Sequence, residues 1–221
     1  MTVPQRRKPG RPASDAPVPQ VEQILQRGLE AFAELGYEAA SVRQLNAHLG
    51  MGHTFIHDRY GSKEAFWKAV VDDSFGRVAQ EVAAVLEEEG KDDLYRLITT
   101  VRAFHRAAAR RPHLTRLIDY EAARDSWRLA YLYGLMGPLN EAVRPMFERL
   151  VREGQLRDIP WYLFHFAVTT PLAMYSQTPL ARLLGRPEDA NDHTLMSTIA
   201  LNGLLPAHTA DQTALETGAK R

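Results

Sequence analysis

Between Val21 and Trp67 the chain crowds three short segments of helical apolar spacing, each closed by a glycine, and that crowding constrains the fold more than any other feature of its 221 residues. In the first, Val21, Ile24, Leu25, Leu29, Phe32 and Leu35 recur on one face, and Gly36 follows where a left-handed C-terminal residue is expected. In the second, Ser41 stands three residues before Gln44, a capping-box spacing, and Val42, Leu45 and Leu49 lead to Gly50. The third lies in MGHTFIHDRYGSKEAFW, Met51 to Trp67. Helices this short are marginal alone and must pack on one another. Ser62 then predicts the cap of a longer fourth helix, with a stripe of Trp67, Val71, Phe75, Val78, Val82, Val85 and Leu86 that closes near Gly90.

The remainder also reads as helix. Leu94, Leu97, Val101 and Phe104 share a face, and Leu114, Leu117 and Ile118 follow Pro112. A long segment runs from Ser126 to Glu153, which Pro138 and Pro145 are expected to break or kink. WYLFHFAV, after Pro160, is apolar nearly all round; in a chain without hairpin signals it is expected to be a buried helix or one packed on a partner subunit. A proline-interrupted stretch and HTLMSTIALNGLL follow, and the end from Pro206 is small, polar and expected to be loose.

Composition removes several functions. With no cysteine, disulfides, thiolate metal sites and cysteine nucleophiles are excluded. No run approaches the roughly 18 apolar residues that span a bilayer, and the basic, proline-rich N-terminus lacks a signal peptide's apolar core, so a cytoplasmic protein is expected, with no membrane partner. Net charge is +0, but the front end is mildly basic. RRKPGRP, Arg6 to Pro12, is expected to be a flexible arm, since its prolines oppose helix and its charges oppose burial. No phosphate-binding glycine loop, nucleophile elbow or closely placed acid/base pair is present, so no enzyme and no cofactor is expected.

The Met51–Trp67 stretch carries the functional question. His53 and His57 are four apart, as in a metal site, but Thr54 occupies the slot where a zinc-peptidase helix needs glutamate and no third ligand is apparent; no metal is expected. A second helix joined to a third by a tight glycine turn matches a helix-turn-helix. With Ile56 taken as inward, Tyr60 and His53 fall near the inner side, Thr54 and Asp58 point away, and Phe55 and His57 lie on the flanks.

ILQRGLEAFAELGYEAASV, the turn LGM and FIHDRYGSKEAFW resemble the DNA-binding domain of the tetracycline-repressor (TetR) family over Val21 to about Val71. The resemblance implies an all-α fold, with an N-terminal three-helix helix-turn-helix domain followed by a larger helical effector-binding and dimerisation domain. It partitions the chain into an arm (1–19), a DNA-binding domain (20–66), a second domain (67–206) and a tail (207–221). It places Ser41 and Arg43 on phosphates, His53, Thr54, Phe55, His57 and Asp58 in the major groove of a double-stranded operator, and Arg59 and Lys63 on the backbone. Arg7, Lys8 and Arg11 would form a minor-groove hook, the alternative being a solvated tail. The chain departs from the family pattern at His57 (usually tyrosine), Thr54 (often glycine), Ala40 (often threonine) and Asn46 (an alanine between packed helices). Buried, Asn46 needs partners.

The resemblance further implies a homodimer, paired through Trp161–Tyr175 and Thr194–Leu205, and a small-molecule effector of unknown identity. Phe104, Tyr120, Trp127, Tyr131, Met136, Phe164 and Met174 are its pocket candidates, with His105 and His165 as polar ones, although for any single one of them plain core, or for the histidines a satisfied core or surface position, is the favoured reading. The Trp67–Leu86 stripe is the expected lever between the domains. The function expected is a ligand-responsive regulator, in the first instance a repressor, on a palindromic operator. The alternatives are an effector-independent DNA-binding protein and a helical carrier or enzyme whose helix-turn-helix is only a scaffold.

Overall fold

The computed structural model describes residues 20–86 and 91–206. Among them every regular element is helical: α1 (Val21–Leu35), α2 (Val42–His48), α3 (Phe55–Tyr60), α4 (Lys63–Leu86), α5 (Asp93–Ala109), α6 (Pro112–Ala122), α7 (Trp127–Arg152), α8 (Trp161–Thr169), a 3-10 turn (Thr170–Leu172), α9 (Ala173–Ser176), α10 (Thr178–Leu183) and α11 (His193–Leu204). The arm, the expected closure near Gly90 and the tail lie outside the described residues. No described helix is long and apolar enough to cross a membrane.

The first core is built by α1–α4 and continues without a break into the larger domain. Ile24, Leu29, Phe32, Leu45, Leu49, Ile56, Phe66, Trp67 and Val70 share it with Ala107, Leu114, Leu117 and Leu132. The expected boundary at residue 66 thus falls inside α4, whose first turns belong to both sides. Side chains of α4 reach the α1 backbone because of Gly28: a Cβ there would stand 2.6 Å from Phe66 Cζ and 2.8 Å from Val70 Cγ2. A second core gathers Leu97, Val101, Val143, Met146, Phe147, Leu150, Phe164, Val168, Leu201 and Leu204 from α5, α7, α8 and α11.

The expected caps are present. Ser41 Oγ accepts from the Gln44 backbone N–H while the Gln44 side chain accepts from Ser41 N–H at 3.0 Å, and Ser62 Oγ accepts from Ala65 N–H at 3.0 Å. The prolines of α7 do not break it; helix runs from Trp127 to Arg152 with both inside. Pro138 and Pro145 are exposed, as are Gly134 and Glu141 four residues earlier, so the carbonyls left without a donor face water. WYLFHFAV is a helix, but not a fully buried one. Trp161, Phe164 and Val168 turn into the second core, whereas Tyr162, Leu163 and Phe166 are exposed.

His105 is fully buried on α5, and its Nε2–H donates to the Val168 carbonyl at 2.9 Å while Nδ1 has no partner. Burial pushes its pKa below the ordinary histidine value, and the neighbouring His193 adds to that direction. Burial lowers His165 likewise. A histidine lowered in the fold takes up its proton more readily when unfolded, so its contribution is present above the unfolded value and lost as pH falls. Thermal stability is therefore expected to decline as pH drops below about 6.5. His105→Gln, which retains a donor for Val168, should flatten that decline in melting temperatures recorded from pH 7 to 5. An unchanged slope would remove His105 from the account.

Candidate nucleic-acid interface

The geometry of this face begins at the turn between α2 and α3. Gly50 adopts φ +69°, which brings Gly50 N–H to the Ala47 carbonyl (3.0 Å) and Met51 N–H to the Asn46 carbonyl (2.9 Å). Any residue with a Cβ would be strained there. Arg27 of α1 reaches across and donates from Nη1 to the Leu49 carbonyl at 3.2 Å. Asn46, only 1% exposed, then joins the two helices directly: its Nδ2 donates to the His53 carbonyl at 2.6 Å, and its Oδ1 accepts from Ile56 N–H at 3.2 Å. These are the partners that its burial requires, and they hold the first turn of α3, where an alanine would leave both backbone groups free.

With the turn fixed, α3 presents two unlike sides. Ile56 is wholly buried and Tyr60 packs on Phe66 with ring centroids 4.8 Å apart. His53, Thr54, His57, Asp58 and Arg59 are exposed and Phe55 is half-buried. Gly52, Thr54, Phe55, Asp58 and Arg59 line a shallow open depression on this face. His53 does not fall on the inner side; α3 starts at Phe55, so His53 belongs to the turn and points to solvent. Ser41 and Arg43 at the start of α2 are exposed beside it.

Two residues differ from expectation in what they offer. Lys63, expected on the DNA backbone, is turned inward. Its Nζ donates to the Tyr37 carbonyl (2.9 Å) and the Ala40 carbonyl (3.1 Å) and sits 4.2 Å from the Tyr37 ring centroid. Its charge satisfies the α1–α2 turn, which has carbonyls and no other donor from α4. At His57, Nδ1 lies 3.1 Å from the Gly61 carbonyl. A carbonyl can only accept, so the ring carries a proton on Nδ1, and in the neutral form Nε2 is an acceptor. A neutral His57 is thus suited to a base amino group; only the doubly protonated ring can donate to a phosphate, as a tyrosine hydroxyl does in every state below its own titration.

The seven pocket candidates are not brought together. Phe164 is buried against Phe147 and Trp161 (4.6 and 5.2 Å). Tyr120 is surface-exposed under Arg124. Trp127 and Tyr131 pack on Trp67 (5.3 and 5.9 Å), at the junction of the domains, and Tyr131 donates to Asp72. Phe104 is half-buried, touching both main cores, and Met136 is half-buried on α7. Met174 lines a cleft of about 510 Å³ with Leu180, Leu184, Arg186, Leu195 and Met196. Aromatic residues at helical spacing carry no mark that separates a pocket wall from packed core, which is why sequence placed them together. Of the polar candidates, His105 is spent on Val168. Among the described residues no group of three metal-ligating side chains occurs.

Replacing Asn46 by Ala leaves Ile56 N–H and the His53 carbonyl without their partner, which should destabilise the fold by about 1–3 kcal/mol in chemical denaturation. The variant should also lose DNA affinity beyond what the unfolded fraction explains. Stability and affinity both equal to those of the parent would mean that water replaces Asn46.

Comparison with known proteins places the chain in a family. Residues 24–70 match the family model of bacterial regulatory proteins, tetR family. The chain is 30% identical over 159 residues to the HTH-type transcriptional repressor AcnR of Corynebacterium efficiens, covering 71% of this chain and 79% of that one. The AcnR of Corynebacterium glutamicum is 28% identical over 162 residues, 72% and 81% of the two chains. In fold, the chain is similar to the TetR family transcriptional regulator PfmR of Thermus thermophilus (TM-score 0.59, 20% identity, 82% and 96% covered). It is similar also to AibR, solved in complex with isovaleryl coenzyme A and operator DNA (TM-score 0.62, 14% identity, 84% and 97% covered). The matched span contains α2, the glycine turn and α3, and the likeness extends over most of the chain: the protein belongs to the tetR family of bacterial regulatory proteins, DNA-binding regulators of transcription.

Proposed function

We propose that the protein is a cytoplasmic repressor that binds a palindromic operator as a homodimer and leaves it when a small molecule binds the larger domain. The observation that carries the reading is the sidedness of α3. Its inner residues are locked by Asn46, Ile56 and Tyr60, while Thr54, His57, Asp58 and Arg59 stand free of that packing. Among the described residues Arg43 and Arg59 have no hydrogen bond or ion pair, so their charge is available to phosphates. Thr54, His53, His57 and Asp58 are the base-reading candidates, Asp58 as an acceptor for a cytosine amino group. The AcnR relatives are transcriptional repressors, and an effector is supported by the AibR complex. Arg7, Lys8 and Arg11 add a minor-groove contact in this reading.

A homodimer is supported by the surface that α8 and α11 leave uncovered. Leu195 and Ile199 of α11 and Tyr162, Leu163 and Phe166 of α8 are all exposed, although the two helices pack on each other and bury Phe164, Val168, Leu201 and Leu204 in the second core. One copy of so small a head neutralises few phosphates, and a second supplies the other half-site.

Selection of bound fragments from genomic DNA tests the reading; it should return an inverted repeat, and binding with a specificity ratio near one would overturn it. On that operator, Arg43→Ala and Arg59→Ala should each weaken binding to all sequences and lower the salt slope by about one. His53→Ala and Asp58→Ala should instead change the preferred base. For the dimer, Phe166→Glu with Ile199→Glu should yield monomers in sedimentation and abolish tight operator binding; a dimer that survives both charges would place the interface elsewhere.

A further inference from the structure

The reading head is joined to the larger domain covalently through α4, and by a second route that begins in the first turn of α7. Arg128 is 4% exposed. Its Nε donates to Oε1 of the buried Glu121 on α6 at 2.9 Å, and its Nη1 donates to Oε1 of Glu38, in the α1–α2 turn, at 2.8 Å. The guanidinium lies 4.5 Å from the Tyr37 ring centroid, and Trp127 meets the same ring edge-on at 5.6 Å. Tyr37 and Ala40 are the residues whose carbonyls Lys63 holds. Ser41, next in the chain, caps α2, and α2 sets α3 through Asn46.

Each link in that series is directional. Apolar contact alone tolerates sliding, whereas a guanidinium shared between two carboxylates on different elements admits one arrangement. A buried Arg–Glu pair also gains little net stability over apolar residues of similar size, so its structural return is the geometry it imposes. We infer that Arg128 is a positioning residue for DNA reading: from the larger domain it sets the angle at which each head is presented, and with it the spacing of half-sites that the dimer accepts. This rests on the DNA-reading role proposed above, and it makes the α6–α7 corner a second lever beside α4.

Glu38→Gln in the full-length chain isolates the tether, because the Glu38 side chain is 72% exposed and its loss exposes no core. Affinity is measured for the selected operator, for versions with the half-sites one base pair nearer or farther, and for unrelated DNA. A pair whose carboxylate is open to solvent sustains an effect of up to about fivefold. Operator affinity should therefore fall about threefold to fivefold, with discrimination against altered spacing reduced by a similar factor, and Glu38→Asp should restore part of both. Simple electrostatics predicts the opposite sign, since removing an anion from a DNA-binding head strengthens binding to all sequences. A uniform rise, or unchanged spacing discrimination, overturns the inference.

Arg128→Met combined with Glu121→Met removes the buried pair without stranding a charge, and it should lose the same discrimination at a melting temperature near the parent's. Retained discrimination in that variant also overturns the inference. A parent that binds all DNA alike contradicts the proposed function itself, before any variant is compared, and this inference falls with it.

Discussion

The two halves of the molecule depend on the burial of the first turns of α4. Phe66, Trp67, Val70 and Val71 are each fully enclosed, and at about 1.5–3 kcal/mol per large apolar side chain they supply burial comparable with the whole net stability of a domain. Their neighbours come from both sides. Gly28 lets α1 close on Phe66 and Val70, Tyr60 supports α3 from behind, and Trp127 and Tyr131 of α7 abut Trp67. The head is therefore not a module on a flexible joint. Its core is finished by side chains of the larger domain, and its orientation is a property of the packing beneath it.

Local chemistry was legible in the chain because the causes are local. The Ser41–Gln44 box, the Ser62 cap and the glycine that turns α2 into α3 each involve residues within three to five positions of one another, and the inward direction of Ile56 follows from periodicity alone. What escaped was set by distance. No spacing rule brings Arg128 to Glu38, 90 residues away in sequence, nor Lys63 to two carbonyls of an earlier turn. Asn46 advertised a need for partners without naming them, since both are backbone groups that any sequence would supply. The prolines of α7 do not end the helix for a related reason: their effect depends on whether the freed carbonyls meet water, which only the fold decides.

Charge shows the same dependence on destination. A net charge of +0 gives no hint of nucleic acid when read as an average, yet many of the basic side chains are paired with carboxylates of the same chain. Arg77 is held by Asp73 and Glu22, Arg111 by Glu81, Arg128 by Glu121 and Glu38, and Arg149 by Asp93. Arg77 and Arg149 have their pKa raised by those side-chain hydrogen bonds, while burial opposes the shift. Bonding to Arg111 lowers Glu81 against the same opposition. Once such pairs are set aside, a local excess of unpaired arginine at the reading face is compatible with overall neutrality. Placement decides affinity for a polyanion, and summed charge does not.

Asn46 carries a consequence for how such a regulator changes over generations. Because both ends of its amide are committed to the backbone around α3, the helix has little freedom left to lose when it docks, and little to use in adjusting to an imperfect site. Tolerance of a mutated operator cannot come from a helix that shifts to fit. With α3 as the proposed reading helix, it has to come from side chains that are replaced one at a time, so the DNA sites and the exposed residues of α3 drift together, while the amide behind them stays.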